Sequence, residues 1–118
     1  MKRAFRLTRT KDFKRVKETG RTIRHPLVVL VYASSDFSQP RIAVVASKSV
    51  GKAVDRNLAK RRLKSCLSRM MCRIASNTDL IFYARRDIVN ADFSQICSAV
   101  EELLTRAGLL KIDHEDGY

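Results

Sequence analysis

The chain has 118 residues, 45% of them hydrophobic and 31% charged, with a formal net charge of +12 and an isoelectric point near 10.3. That length suits one domain with a real core, and a charge so positive points to a polyanionic partner. No stretch approaches the roughly 18 consecutive apolar residues of a membrane span, and the opening MKRAFRLTRTK lacks the apolar core of a secretory signal. The expected location is therefore cytoplasmic, with no membrane partner.

Thr8 to Glu18 reads as a short helix, with Thr8 or Thr10 able to cap its start and Gly20 able to close its end. Its large apolar residues, Phe13 and Val16, lie three apart on one face. Leu27 to Ala33, LVVLVYA, is a β-branched run that predicts a buried strand, and SSDFSQP after it predicts a turn. Arg41 to Ala46 predicts a second strand, and Ser47 to Gly51 leads into a long basic helix. Asp79 to Ala84, DLIFYA, is a further strand. The last helix opens at Asp92, with Gln95 three residues on as in a capping box. Phe93, Ile96, Val100, Leu103, Leu104 and Ala107 form its core stripe, and Gly108 is placed to end it. The pattern predicts an α+β sandwich, a small central sheet with helices packed on it, in the order α-β-β-(β)-α-β-α with the bracketed strand optional. Residues 1–112 form the expected single domain, and 113–118 an acidic tail expected to be disordered.

The run from Ser47 to Lys64, SKSVGKAVDRNLAKRRLK, carries four Lys and three Arg against one acid, Asp55. Residues 1–73 hold 20 Lys and Arg and 4 Asp and Glu, whereas residues 74–118 hold 4 and 8, so the positive charge is concentrated in the first part. Ala59, Leu63, Cys66, Leu67, Met70 and Ile74 form an apolar stripe at helical period, and Asn57, Lys60, Arg61 and Lys64 form a second stripe beside it. Arg62, Arg69 and Arg73 line the other flank. A solvated helix face mixes charges of both signs, whereas this one has a lone acid, so nucleic-acid binding is the leading reading. Arg can grip phosphate with two parallel bonds, Lys adds mobile charge, and Asn57 can reach a base edge or a 2′-hydroxyl. A membrane surface is the rival, and it would call for bulky apolar residues free to insert.

Little in the sequence suggests protein chemistry. His25 and His114 lie far apart, and paired-carboxylate, P-loop and G-x-G-x-x-G signatures are absent. Cys66, Cys72 and Cys97 form no C-x-x-C pair, so they are expected to be reduced, mostly core residues rather than a disulfide or zinc site. Three function classes stay open: a protein cofactor of an RNA enzyme, a plain RNA- or DNA-binding module, and a nuclease. The last would need clustered acids or histidines. From spacing alone Phe13 and Val16 read as core, while Tyr32, Tyr83, Arg85 and Arg86 stay unassigned. Lys2, Arg3, Arg6, Arg9 and Lys11 make a basic N-terminal arm.

AVDRNLAKRRLK resembles the basic helix of the bacterial ribonuclease P protein subunit, typically A-V-x-R-N-x-x-K-R. The surrounding order is similar too: the Leu7-x4-Asp12-Phe13 opening, RIAVVASKSVGKAV leading into the helix, and DLIFYARR before a last amphipathic helix. The resemblance spans roughly residues 5–110. It implies a protein without a catalytic side chain, which assists a catalytic RNA in removing the 5′ leader of precursor tRNA, with magnesium held by that RNA and no small-molecule substrate. Lys48, Lys52, Arg56, Asn57, Lys60 and Arg61 would contact the catalytic RNA, and Arg62 and Lys64 extend that set along the same helix. Phe13, Val16 and Lys17 would face the leader. The resemblance also implies a left-handed crossover between two parallel strands through the basic helix. Four positions depart from the family pattern. Lys17 stands where a second Phe is frequent, Ser49 where a second Lys is common, Leu58 where a basic residue is common and Ala43 where Gly is frequent.

Overall fold

The computed structural model describes residues 5–111. Lys2 and Arg3 of the basic arm and the tail expected at 113–118 lie outside the described residues. The elements are α1 (Thr10–Thr19), β1 (Arg21–Arg24), β2 (Val28–Ser34), β3 (Arg41–Val45), α2 (Ala53–Met70), β4 (Thr78–Ala84) and α3 (Phe93–Ala107). The optional strand is therefore present as β1. Its sequence, RTIR, offers one half-buried apolar residue, Ile23, as suits the edge of a sheet.

The four strands run in the order β1-β2-β4-β3. The β1–β2 and β2–β4 pairs are antiparallel, while β3 and β4 run parallel, joined through α2. Strand alternation splits the sheet into two faces. On one face Val28, Leu30, Ile42, Leu80 and Phe82 are buried against the apolar stripes of α2 and α3. On the other, Val31, Ala43 and Ile81 pack under Val16 of α1 and Leu7. The molecule is thus three-layered: α1, sheet, then α2 and α3 together.

The helix ends bear out three sequence expectations and correct one. Asp92 accepts a bond from the Gln95 amide at 2.9 Å while the Gln95 side chain accepts from the Asp92 amide at 2.9 Å, so the capping box forms. That amide bond is the main reason the Asp92 carboxyl titrates below its ordinary range. Gly108 closes α3 at φ 73°, a left-handed position that favours glycine. At α1, however, neither threonine caps; Arg9 occupies that place without a side-chain bond. Gly20 ends α1 through close approach rather than a left-handed turn, since a Cβ there would lie 2.6 Å from the Tyr32 carbonyl oxygen. The α-helical part of α2 stops at Met70, and a 3-10 turn over Met71–Arg73 delivers Ile74, still buried, to the core.

The expectation of three reduced cysteines is not met. Cys66 of α2 and Cys97 of α3 form a disulfide, with Cα atoms 5.4 Å apart, and only Cys72 is a free, exposed thiol. Two apolar stripes that pack face to face bring positions 31 residues apart within bridging range, which spacing along the chain does not reveal. Peptide mapping under non-reducing conditions is expected to recover the Cys66–Cys97 crosslink and an alkylated Cys72. Cys97→Ser should lower stability by about 2–3 kcal/mol in a denaturant titration. Ready alkylation of all three cysteines in the native protein would refute the bridge.

Candidate nucleic-acid interface

The interface starts where β3 leaves the sheet. A 3-10 turn over Lys48–Val50 anchors itself through buried Val50 and leaves Lys48 exposed. The start of α2 has Lys52 at the cap position with no side-chain bond, so its first amides carry the positive end of the helix dipole outward. Burying Ala59, Leu63, Cys66 and Leu67 fixes the rotation of α2. Asn57, Arg61 and Lys64 are then exposed, and Arg56 and Lys60 half-buried beside them. The side chains of Lys48, Lys52, Arg56, Lys60, Arg61 and Lys64 have no carboxylate partner among the described residues. The Arg56 Nε is buried and without a hydrogen-bond partner. This is a row of uncompensated cations on a rigid helix, which suits a phosphate backbone.

Arg62 does not join that row. It lies on the opposite flank of α2 and donates to the Ala91 carbonyl at 3.2 Å, tying α2 to the entrance of α3. Arg69 is on the same flank, its guanidinium 4.9 Å from the Phe93 ring centroid. Leu58 is half-buried and lines a small cavity with Ile88 and Val89, which explains why this position can do without a charge.

The second part of the site is the sheet face that α1 covers incompletely. Val29, Tyr83 and Val45 stand side by side across β2, β4 and β3 and are half-buried. Phe13 belongs to the same apolar group. It also lines a cavity of about 210 Å³ with Arg6, Leu7, Thr8, Ile42, Ala43, Val44 and Lys64. Lys64 comes from α2, so this cavity joins the aromatic residue of α1 to the basic helix around the edge of β3. Lys17 is exposed one helical turn after Phe13. Val16 must be withdrawn from the open site. It is 0% exposed and packs with Leu7, Val31, Ala43 and Ile81, because the helix has to bury something to stay on the sheet. Sequence reasoning did not assign Val29, Val45 or Tyr83. Their alternation marks a common face, but only the placement of α1 shows which part of that face is open. The Tyr83 hydroxyl is buried without a hydrogen-bond partner, beside this open row.

A buried ion cluster sets the position of α1. Asp79 of β4 is 0% exposed and accepts two bonds from Arg41 of β3, at 2.9 and 2.7 Å, and one from Arg15 of α1. Asp12 stands 3.5 Å from Arg41, and Arg15 also donates to the Ser34 carbonyl at 2.8 Å. Bonding to Asp79 is the main cause that raises the pKa of Arg41 above its ordinary value.

Comparison with known proteins gives the family and the fold. The family model described as Ribonuclease P matches residues 1–108. The ribonuclease P protein component of Herpetosiphon aurantiacus is 39% identical over 109 residues, covering 92% of this chain and 89% of that protein. The protein of the same name from Chloroflexus aurantiacus is 35% identical over 111 residues, covering 93% and 82%. Among solved structures, an RNase P protein from Staphylococcus aureus superposes with a TM-score of 0.80 at 26% identity, covering 96% of this chain and 98% of that one. The RNase P protein from Thermotoga maritima gives a TM-score of 0.78 at 23% identity, covering 86% and 96%, a likeness of fold.

Proposed function

Because the chain belongs to the ribonuclease P protein family, whose members are the protein subunit of that RNA-containing holoenzyme, we propose that its two surfaces have separate RNA partners. The α2 surface, with Lys48, Lys52, Arg56, Asn57, Lys60, Arg61 and Lys64, docks on the catalytic RNA. The half-open face at Phe13, Lys17, Val29, Val45 and Tyr83 takes the single-stranded 5′ leader of precursor tRNA. One observation carries this division. Uncompensated cations on α2 and an aromatic-lined sheet face meet at the cavity shared by Phe13 and Lys64. Stacking on Phe13 is indifferent to base identity, which fits leaders of varied sequence, and Lys17 beside it favours the phosphates.

On this reading the protein positions substrate and supplies no reacting group. A magnesium ion held by the catalytic RNA, and not by residues of this chain, would supply activation of the attacking water; the residues of this chain hold RNA strands and screen their charge. No helix among the described residues is long and apolar enough to cross a membrane.

The test is cleavage of precursor tRNA by a bacterial ribonuclease P RNA at low magnesium, with and without this protein, across leader lengths. Stimulation should grow with leader length until the sheet face is filled. Phe13→Ala should weaken binding of long-leader precursor by about 5- to 150-fold, the range expected for one lost base stack, and leave a leaderless tRNA unaffected. Stimulation that ignores leader length would remove the leader from this face. Tight RNA binding without any stimulation would leave only a binding module.

A further inference from the structure

Phe37 is an exposed aromatic that the interface described above does not use. It sits in the β2–β3 connection, Ser35 to Pro40, and is 53% exposed. A lone exposed apolar residue is ordinary on a protein surface, but this one is held in place from several sides. Its amide donates to the Ser35 hydroxyl at 3.3 Å, and its carbonyl accepts from the Asn77 side-chain amide at 2.7 Å. Asn77 adopts φ 59°, a left-handed conformation uncommon outside glycine, and its own carbonyl accepts from the Ser35 amide at 2.8 Å. The guanidinium of Arg41 stacks 3.9 Å from the ring centroid, and Arg41 is itself fixed by buried Asp79. One side of the ring is thus occupied by a planar cation, and more than half of the residue faces water.

Phe37 and Arg41 line a cavity of about 280 Å³ with Asp12, Arg15, Ser34, Ser35 and Asp36. It shares no lining residue with the cavity at Phe13 and lies on the other side of the Asp12–Phe13 and Arg41–Ile42 steps. Its charge argues for the kind of ligand. Arg15 and Arg41 are matched by Asp12 and Asp79, and Asp36 adds a further carboxylate, so a phosphate gains nothing here. An uncharged flat ring gains a stacking surface, with serine hydroxyls and the Asp36 carboxylate available to the N–H groups of its edge.

We infer that Phe37 and Arg41 form a stacking site for one unpaired nucleobase of RNA, separate from the sheet face at Phe13. The inference rests on the ribonuclease P reading for the source of that RNA. The base belongs either to an upstream part of the leader or to the catalytic RNA, and the chemistry is the same for both. A platform held this rigidly pays little ordering entropy when the base arrives, so it adds affinity without demanding a particular sequence.

The experiment uses the assembled holoenzyme with Phe37→Ala, Phe37→Leu and Phe37→Tyr. Two affinities are measured for each: protein for catalytic RNA, and holoenzyme for precursor tRNAs of graded leader length. Phe37→Ala and Phe37→Leu should weaken one of the two by about 5- to 150-fold, while Phe37→Tyr, which keeps the ring, should stay near the parent. A loss seen only with longer leaders assigns the base to the leader. A loss in catalytic-RNA affinity, independent of the leader, assigns it to that RNA. Unchanged affinities for Phe37→Ala in both measurements would overturn the site, and full activity of Phe37→Leu would overturn stacking. Phe13→Ala measured in parallel keeps the two surfaces distinct: a neutral result there with a loss at Phe37 removes the leader from the sheet face and leaves this site standing. Melting temperatures should match throughout, since Phe37 is outside the core.

Discussion

Replacing Arg56, Lys60 and Arg61 together with alanine is expected to abolish assembly with a ribonuclease P RNA at physiological salt while the protein stays folded. Charge-assisted contacts to phosphate are worth about 1.5–3 kcal/mol each, and three lost from one rigid helix should weaken binding by about 10³-fold or more. The salt dependence should fall with it. Each neutralised phosphate contributes roughly 0.7–0.9 to the slope of log affinity against log salt, so the triple variant should lose about 2–3 from that slope. Stability should hold because none of the three makes an ion pair among the described residues, and alanine is the best helix former. Arg56 has no bond to lose at Nε. Arg62→Ala is the informative contrast. Its guanidinium is spent on the Ala91 carbonyl, so RNA affinity should barely change. Binding measured from low to high salt checks both variants, and normal assembly of the triple variant would place the RNA elsewhere.

The basic helix was readable in the sequence because all its information is local. An apolar stripe and a cationic stripe at the same period fix both the helix and the side it shows. The capping box of α3 is local in the same way. Non-local features were not readable. Phe13 and Val16 sit three apart on one helix face, and spacing gives no reason to treat them differently. Only where α1 lies on the sheet makes Val16 wholly buried and leaves Phe13 beside a cavity. Val29, Val45 and Tyr83 become neighbours through strand pairing. Cys66 and Cys97 become neighbours through helix packing. Arg62 shows the opposite failure: it is one more cation in a basic run, and the carbonyl that occupies it comes from 29 residues away. The same holds for Asp79, which opens a strand as any polar residue can, yet lies at the base of the cluster that holds α1.

Asp79→Ala should therefore be the most damaging single change to the fold outside the apolar core. Asp79 is 0% exposed and faces two arginines, one from β3 and one from α1. Removing it leaves both cations with only the more distant Asp12, 3.8 Å from Arg15 and 3.5 Å from Arg41, and loss of a buried partner runs to about 3–5 kcal/mol. Arg41 is 13% exposed and Arg15 is 36% exposed, so water recovers part of that, and the lower part of the range is expected. A fall in melting temperature on the order of 10–20 °C follows for a domain of this size. Arg15→Ala alone should cost far less, because Arg41 still neutralises Asp79 and Arg15 is partly wet. The functional effect should be selective. α1 is tied to the sheet by Val16 and Phe13 and by polar links at Arg15–Asp79, Arg15–Ser34 and Asp12–Arg41, whereas α2 is held on the opposite face by its own stripe. Among the molecules that remain folded, Asp79→Ala should blunt the response to leader length more than it weakens affinity for the catalytic RNA. Asp79→Asn, which keeps the shape and one acceptor, should fall between. Calorimetry together with the two RNA affinities separates these effects. A variant that melts within about 2 °C of the parent would mean that apolar packing alone positions α1, with the ion cluster only completing it.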